Sequence, residues 1–146
     1  MSRASGKCRG SESVTRGVRI VVAPQYLPEQ SEPGQNRYVF GYRIRVVNEG
    51  ESAVQLMLRH WEIVDGDGER NVVNGEGVVG QKPTIAPGQT FEYASYCPLA
   101  TTWGTMEGKY TLRLPDGEQF EAGIARFFLV ADATEETESR KPAVTG

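Results

Sequence analysis

Three glycines in the string NGEGVVGQKP have the spacing that cradles phosphate groups in many nucleotide-binding proteins. Gly75, Gly77 and Gly80 form the pattern Gly-x-Gly-x-x-Gly, and Lys82 could add a counter-charge. The dinucleotide-binding form of this motif needs a helix directly after the loop, because free N–H groups at the helix N-terminus face the phosphates. Two prolines follow within QKPTIAP, and proline cannot occupy a helix interior. We therefore predict that the glycines serve the conformation of a loop first and contact with a partner second; the alternative is a backbone nest that holds an anion.

Cysteine-based or zinc-dependent catalysis would have to use the single histidine, His60, or one of two cysteines, Cys8 and Cys97. A catalytic cysteine needs a base beside it, and His60 is distant from Cys97 along the chain. Two cysteines far apart and one histidine also do not supply the usual ligands of a zinc site. We interpret Cys97 as a half-buried thiol, and His60 and Trp61 as structural residues. No catalytic residue, metal ligand or cofactor is predicted.

The carboxylates of the string DGDGE are the remaining candidates for metal-assisted chemistry on phosphates. Asp65, Asp67 and Glu69 lack the later bidentate glutamate and the ligand count of a calcium loop. Asp-Gly pairs are typical of tight hairpin turns, because glycine adopts the positive φ that these turns require. We predict a turn between two strands at this position.

The charge distribution argues against nucleic acid as a partner. The net charge is −3, with +3 in residues 1–17 and −4 in residues 18–131. A nucleic-acid-binding domain normally carries a basic stripe, whereas this central region is acidic. No apolar run approaches the roughly 18 residues that span a bilayer, and the N-terminus has no apolar segment of a secretory signal. We expect a cytoplasmic protein that binds neither nucleic acid nor membrane.

The elements that position these residues alternate apolar and polar side chains. Every second residue of YVFGYRIRVV, from Tyr38 to Val46, is apolar, and a period of two predicts a strand. Six further segments show this period between turn signals, and none shows helical spacing, so we predict an all-β sandwich of about seven strands, immunoglobulin-like or fibronectin type III-like. A small closed barrel is the alternative. The predicted core consists of Ile20, Val22, Phe40, Tyr42, Ile44, Leu56, Trp61, Ile63, Tyr93, Tyr110, Leu112, Ile124 and Phe127.

Two of the predicted strands change phase along their length. In AVQLMLRHWEIV the apolar parity changes between Leu58 and Trp61, which predicts a β-bulge near Arg59 and His60. In EQFEAGIARFFLV the same kind of change predicts a second bulge near residues 125–126. In both strands the bulge keeps the two apolar sets facing one core.

The two ends of the chain lack this alternation. Residues 1–17 are rich in Ser, Gly and Arg, and residues 132–146 are polar. Such compositions predict a disordered basic tail before the domain and a flexible C-terminal tail after it. The predicted domain is therefore residues 18–131.

Several long strings resemble the ApaG family, from about Val18 to Leu129. They are YLPEQS, RYVFGYRIRVVNEG, VQLMLRHWEIVDGDG, GEGVVGQKPTIAPGQTFEYASYCPLATTWGTMEGKY and FEAGIARFFL. The glycine pattern of the family falls on the three glycines above, and its Arg-His-Trp string on residues 59–61. Met57 and Leu58 stand where family patterns often have Leu-Ser, a difference confined to one strand face.

The resemblance implies a fibronectin type III-like sandwich without established catalytic activity. Bacterial members are associated with cobalt resistance and magnesium efflux, and with the neighbourhood of diadenosine tetraphosphate hydrolysis. Similar eukaryotic domains, in F-box proteins and in a polymerase-interacting protein, are taken to be protein-interaction modules.

We therefore expect a non-enzymatic binding module for an unidentified protein partner. Candidate partner residues are the glycine-rich loop with Lys82, together with Arg59, Tyr26, Tyr96 and Trp103. A weak homodimer through an edge strand is also considered. The alternative function is binding of, or action on, pyrophosphate-containing nucleotides such as diadenosine tetraphosphate through the loop, with Arg59 or Lys82 as counter-charge.

Overall fold

The computed structural model of this protein describes residues 9–131. Its regular elements in that range are nine strands and two short 3-10 turns, at Pro28–Gln30 and Pro33–Gln35. The strands are β1 (Ser11–Thr15), β2 (Val18–Tyr26), β3 (Tyr38–Asn48), β4 (Val54–Asp65), β5 (Arg70–Glu76), β6 (Thr84–Ile85), β7 (Thr90–Leu99), β8 (Trp103–Arg113) and β9 (Gln119–Val130). The predicted tail at 132–146 lies outside the described residues, as do residues 1–8.

The strands form two antiparallel sheets that pack face to face. The first sheet has the order β1-β2-β3-β7, and the second has the order β5-β4-β8-β9, with β6 also paired to β4. The predicted all-β sandwich is confirmed. The two strands beyond the predicted seven are β1 and β6. β1 is too polar to show an apolar period, and β6, with two residues, is too short.

The core lies between the sheets and is built from the alternating residues of both. All thirteen predicted core residues contribute to it, twelve of them buried and Ile63 packed partly buried against the rest. Trp61 is at the centre of an aromatic cluster, with its ring centroid 5.6 Å from that of Tyr42, 5.9 Å from Phe127 and 6.4 Å from Tyr110. Edge-on contacts of this kind add to the free energy gained from burial.

Both predicted bulges exist, but one is displaced. Between β8 and β9, residues 125–126 of β9 lie opposite the single residue Glu107, as predicted. Between β4 and β8, the pairing moves directly from Leu56 to Leu58, so that Met57 is the extra residue. The prediction of a bulge near Arg59 and His60 is therefore wrong by two to three positions, and Leu58 points away from the core instead of towards it.

One side of the sandwich is closed by the segment that was predicted to be disordered. Residues 11–15 form β1, which pairs with β2 along its length. The hydroxyls of Ser11 and Ser13 donate to the carbonyl oxygens of Ala125 and Gly123 on β9, at 2.7 and 2.6 Å. The prediction of disorder is wrong for these residues, because polar side chains here satisfy the edge of a neighbouring sheet. We call this the closed side.

The opposite side is bounded by β7 of the first sheet and by a broken edge of the second. There β5, the following loop and β6 run in turn along β4: the Gly77 amide donates to the Met57 carbonyl at 2.8 Å, and the Leu56 amide donates to the Pro83 carbonyl at 3.0 Å. The edge strand therefore breaks at the level of the β4 bulge, and residues 78–81 leave it. We call this the open side.

Candidate functional site

The glycine loop, defined as residues 75–82, contains a two-residue hairpin on the open side. The amide of Val78 donates to the carbonyl of Gln81 at 2.9 Å, and the amide of Gln81 donates back at 2.8 Å. Val79 and Gly80 between them have φ values of 43° and 80°. Positive φ at both central residues is the signature of a type I′ turn. As predicted, the loop leads into no helix.

Two of the motif glycines lie at close approaches. Gly77 has a φ of 62°, and a Cβ on it would overlap the carbonyl oxygen of Gln81. A Cβ on Gly75 would lie 2.6 Å from the guanidinium carbon of Arg59, its partner across β4 and β5. The glycine spacing therefore allows a tight turn and makes room for an arginine.

The two valines at the hairpin face opposite ways. Val78 is 1% exposed and packs into the core between the sheets, whereas Val79 is 53% exposed at the tip of the hairpin. A β-branched residue with positive φ is a backbone outlier, which costs on the order of 1–3 kcal/mol. Strain of this kind is typical of functional positions. Asn or Gly would fit this turn position without strain.

Arg59 lies on the inner side of β4, because the bulge at Met57 places it on the same face as Trp61. Its Nη1 donates to the carbonyl oxygens of Glu76 and Gly77, at 3.1 and 2.8 Å. Within residues 9–131, its Nε and Nη2 donate no hydrogen bond, and no carboxylate forms an ion pair with it. Lys82, in contrast, pairs with the Glu76 carboxylate at 3.0 Å. The guanidinium is thus the unneutralised cation of this site.

A pocket of about 210 Å³ lies beneath the hairpin, between the two sheets. Its lining contains no carboxylate. The lining residues are Tyr42, Arg59, Trp61, Val78, Val79, Gly80, Tyr93 and Ser95. Pockets for drug-sized ligands usually measure about 300–1,000 Å³. This pocket is therefore matched to one side chain or a small anion.

Hydroxyl groups line the inner wall of the pocket. Burial raises the pKa of the Tyr42, Tyr93 and Tyr110 hydroxyls above its ordinary value, so all three are neutral near pH 7. The Tyr93 hydroxyl is hydrogen-bonded to that of Tyr110, and Ser95 lies opposite Tyr42 on the neighbouring strand. Burial also raises the pKa of the nearby Cys97 thiol to about 11, which leaves it protonated and unreactive.

The sequence predicted some of this site and missed the rest. Arg59, the glycines and Lys82 do lie together, whereas Tyr42, Tyr93, Ser95 and the two valines were not predicted as site residues. The one available signal was the string GVVG. Valine favours extended strands and not the left-handed conformation of a tight turn, so a valine between turn glycines is unusual.

The predicted partner aromatics do not join this site. Tyr26 is wrong as a partner residue: it is buried in the core with its ring centroid 5.4 Å from that of Phe40. Tyr96 is 63% exposed on the outer face of the first sheet. Trp103 is 46% exposed at the start of β8, where it lies over Gly66. Neither lines the pocket, and a role for either in partner binding stays a prediction.

His60 lies on the outer face of the second sheet, on the opposite side of β4 from Arg59. Its Nδ1 is 2.6 Å from Asn74 Oδ1, and its Nε2 is 3.1 Å from Glu62 Oε2. The hydrogen bond with Asn74, and then the one with Glu62, raise the pKa of His60. A histidine with both ring nitrogens bonded fits the structural role expected of it, which stays a prediction.

A second pocket, of about 500 Å³, covers the same outer face. Its charges are largely paired within the fold: Lys109 contacts Glu121 at 3.1 Å, and His60 contacts Glu62. We therefore favour the smaller pocket, because no carboxylate lines it, whereas Glu76 and Glu121 line the larger one. Arg59 borders both pockets.

The arrangement of residues 9–131 bears on metal binding and on membrane insertion. That part of the chain has no group of three or more His, Cys, Asp or Glu side chains that could hold a metal ion. The carboxylate of Asp65 accepts the amides of Asp67 and Glu69, at 2.9 and 3.0 Å, as the predicted turn requires. The same range has no helix with the length and apolar character needed to cross a membrane.

Comparison with known proteins places these features in a family context. The ApaG domain family matches residues 28–114. Protein ApaG of Methylobacterium sp. (strain 4-46) is 50% identical over 79% of this chain and 88% of its own length. Protein ApaG of Anaeromyxobacter dehalogenans is 51% identical over 82% and 94%. A crystal structure of a Bordetella pertussis protein described as ApaA is 48% identical, with a TM-score of 0.77 over 79% of this chain and 94% of that one.

Proposed function

This chain belongs to the ApaG domain family, and we propose that it acts as a non-enzymatic module that binds another protein through the tip of its glycine loop. The observation that carries the proposal is Val79, which is half exposed, apolar and held at a φ of 43°. A strained residue persists where the surrounding structure holds it, and such residues cluster at binding sites. The names of the relatives state no catalytic activity.

The neighbouring edge strand extends this apolar surface. Val72 and Val73 of β5 are 50% and 40% exposed. An edge strand also offers backbone N–H and C=O groups for pairing with another chain. These features support a partner that lies along β5 and contacts Val79.

Site-specific photo-crosslinking in cells tests the proposal. A crosslinking amino acid replaces Val79 in the full chain, and the matched control carries it at Val14, an equally exposed valine on the closed side. We expect position 79, and not position 14, to capture one or a few proteins. The same products from both positions, or none from position 79, would contradict the proposal. Capture of a second copy of this chain alone would replace it with the edge-strand homodimer.

Binding of pyrophosphate-containing nucleotides is a second candidate, favoured by the free donors of Arg59. Two observations weigh against it: a pocket of about 210 Å³ is small for a nucleotide, and one unneutralised cation matches a polyphosphate poorly. Titration with ATP, diadenosine tetraphosphate and pyrophosphate, with and without Mg²⁺, tests it by the amide signals of residues 75–82. Saturable shifts at micromolar ligand would reverse the ranking.

We also propose that any role in cobalt resistance or magnesium efflux is exerted through the protein partner. Calorimetric titration with Co²⁺ and Mg²⁺ should then give no stoichiometric binding. Stoichiometric cobalt binding that is lost in His60→Gln would contradict both this proposal and the structural role of that histidine.

A further inference from the structure

We infer that the pocket beneath the glycine loop binds a single carboxylate group of the partner polypeptide, through Arg59. The inference rests on the proposed function, since it assigns the chemistry of the contact. Its starting point is the position of the guanidinium. Nη1 is held by the carbonyls of Glu76 and Gly77, and Gly75 leaves space for the guanidinium group. The side chain is therefore fixed before any ligand arrives.

The unused donors define the chemistry of the ligand. Nε and Nη2 of Arg59 carry three N–H groups that donate to no acceptor in residues 9–131. The planar fork of a guanidinium matches the two oxygens of a carboxylate, and such paired hydrogen bonds are stronger than neutral ones. Arg59 is only partly buried, so these donors are accessible to a ligand that enters the pocket.

The hydroxyl wall supplies further donors. The Tyr42 and Ser95 hydroxyls line the pocket, and each carries a proton that it can donate. The Tyr93 and Tyr110 hydroxyls share one hydrogen bond, so Tyr93 can donate its own proton into the pocket when it accepts from Tyr110. Because all of these groups are neutral, Arg59 gives the pocket a formal charge of +1.

Size and charge distinguish a carboxylate from a polyphosphate. A space of about 210 Å³ accepts one side chain or chain terminus. A carboxylate carries one negative charge and is neutralised by one guanidinium. Lys82 cannot help to neutralise a second charge without leaving Glu76. Val79 forms part of the pocket rim, where it can pack against an apolar part of a peptide. An inorganic anion offers no such contact.

A titration of the whole 146-residue chain tests the assignment. The probes are N-acetylglutamate N-methylamide for a side-chain carboxylate, N-acetylglycine for a chain terminus, inorganic phosphate and pyrophosphate, all at constant ionic strength. The Arg59 Nε–H resonance and the amides of Val79 and Gly80 are followed by NMR. We expect saturable shifts with at least one carboxylate probe, and the better of the two identifies the source of the carboxylate.

Three variants make the result specific. Arg59→Gln should weaken carboxylate binding at least tenfold, whereas Arg113→Gln, at an exposed arginine on the outer face of the second sheet, should leave it unchanged. Because Arg59 also supports the loop, Arg59→Gln could unfold. Ser95→Leu then decides, since it fills the pocket while Arg59 remains, and it should abolish the shifts.

The outcomes separate this inference from the proposed function. No saturable shift with either carboxylate, equal binding in Ser95→Leu and in the wild type, or phosphate binding ten times tighter than either carboxylate would each overturn the carboxylate site. If crosslinks from position 79 persist in that case, the protein-binding function stands without it. If carboxylates bind and crosslinks from position 79 are absent, the pocket stands and the proposed function fails.

Discussion

The gap between the two sheets is covered differently on the two sides of the sandwich. On the closed side, β1 fills the gap between the sheets, and its two serines donate to carbonyls of β9. On the open side, a hairpin with a buried Val78 and an exposed Val79 covers the gap. On the closed side these serine hydroxyls are hydrogen-bonded within the fold. On the open side, Val79 has a strained backbone and Arg59 has no carboxylate partner among residues 9–131. The difference indicates that the closed side serves stability and the open side serves binding.

The largest effect is expected from Gly77→Ala on the open side. The new methyl group would overlap the Gln81 carbonyl, and alanine would be strained at a φ of 62°. We expect the free energy of unfolding to fall by about 3 kcal/mol, measured by urea denaturation. Gly80→Ala is the matched control, because it has positive φ but no neighbouring atom within 4 Å. A loss there of only about 1–2 kcal/mol would separate backbone strain from steric overlap.

The closed side is tested by Ser11→Ala combined with Ser13→Ala. Each change removes one hydrogen bond to a β9 carbonyl that remains in place. Because both bonds are exposed, we expect the pair to cost about 1 kcal/mol of unfolding free energy. Crosslinking from position 79 should be unaffected. If crosslinking disappears while the protein stays folded, the assignment of stability to the closed side and of binding to the open side is wrong.

Val79→Asn should have the opposite sign. Asparagine tolerates the left-handed conformation, so we expect the free energy of unfolding to rise by about 1 kcal/mol as the strain is relieved. Partner capture, measured with the crosslinker moved to Val73, should fall in the same variant. A gain in stability with unchanged capture would show that the strain at Val79 has no part in binding.

The smallest effect is a pH dependence at His60, on the opposite face of β4 from Arg59. Its pKa is raised in the folded protein, by Asn74 first and Glu62 second. The corresponding stability is therefore fully present below the unfolded pKa of about 6.5 and is lost as the pH rises through the folded pKa. Urea denaturation of the wild type and His60→Gln should differ more at pH 5 than at pH 8. Carboxylate binding at pH 7 should be equal in the two proteins, as neither ring nitrogen reaches the pocket.

Local pattern was sufficient to predict most of the architecture. Alternation predicts the strands because each strand must send every second side chain into one core, and this requirement acts within a few residues. The bulge at residues 125–126 followed for the same reason, since Ile124 and Phe127 both had to face inward. The turn at Asp65 and the need for glycine at position 77 are likewise determined by short stretches, whereas Gly75 makes room for Arg59 from the neighbouring strand.

The content of the site was decided by tertiary structure. A bulge anywhere between Leu56 and Trp61 keeps both of them buried, so the sequence could not choose its position. Pairing with β8 places it at Met57, and that choice turns Arg59 inward and Leu58 outward. The polar β1 likewise gained its place only from β2 and β9. By itself, the sequence determined which residues must be buried. Backbone hydrogen bonds across the sheet select the register between distant strands. That register decided that Arg59 is the polar residue at the pocket.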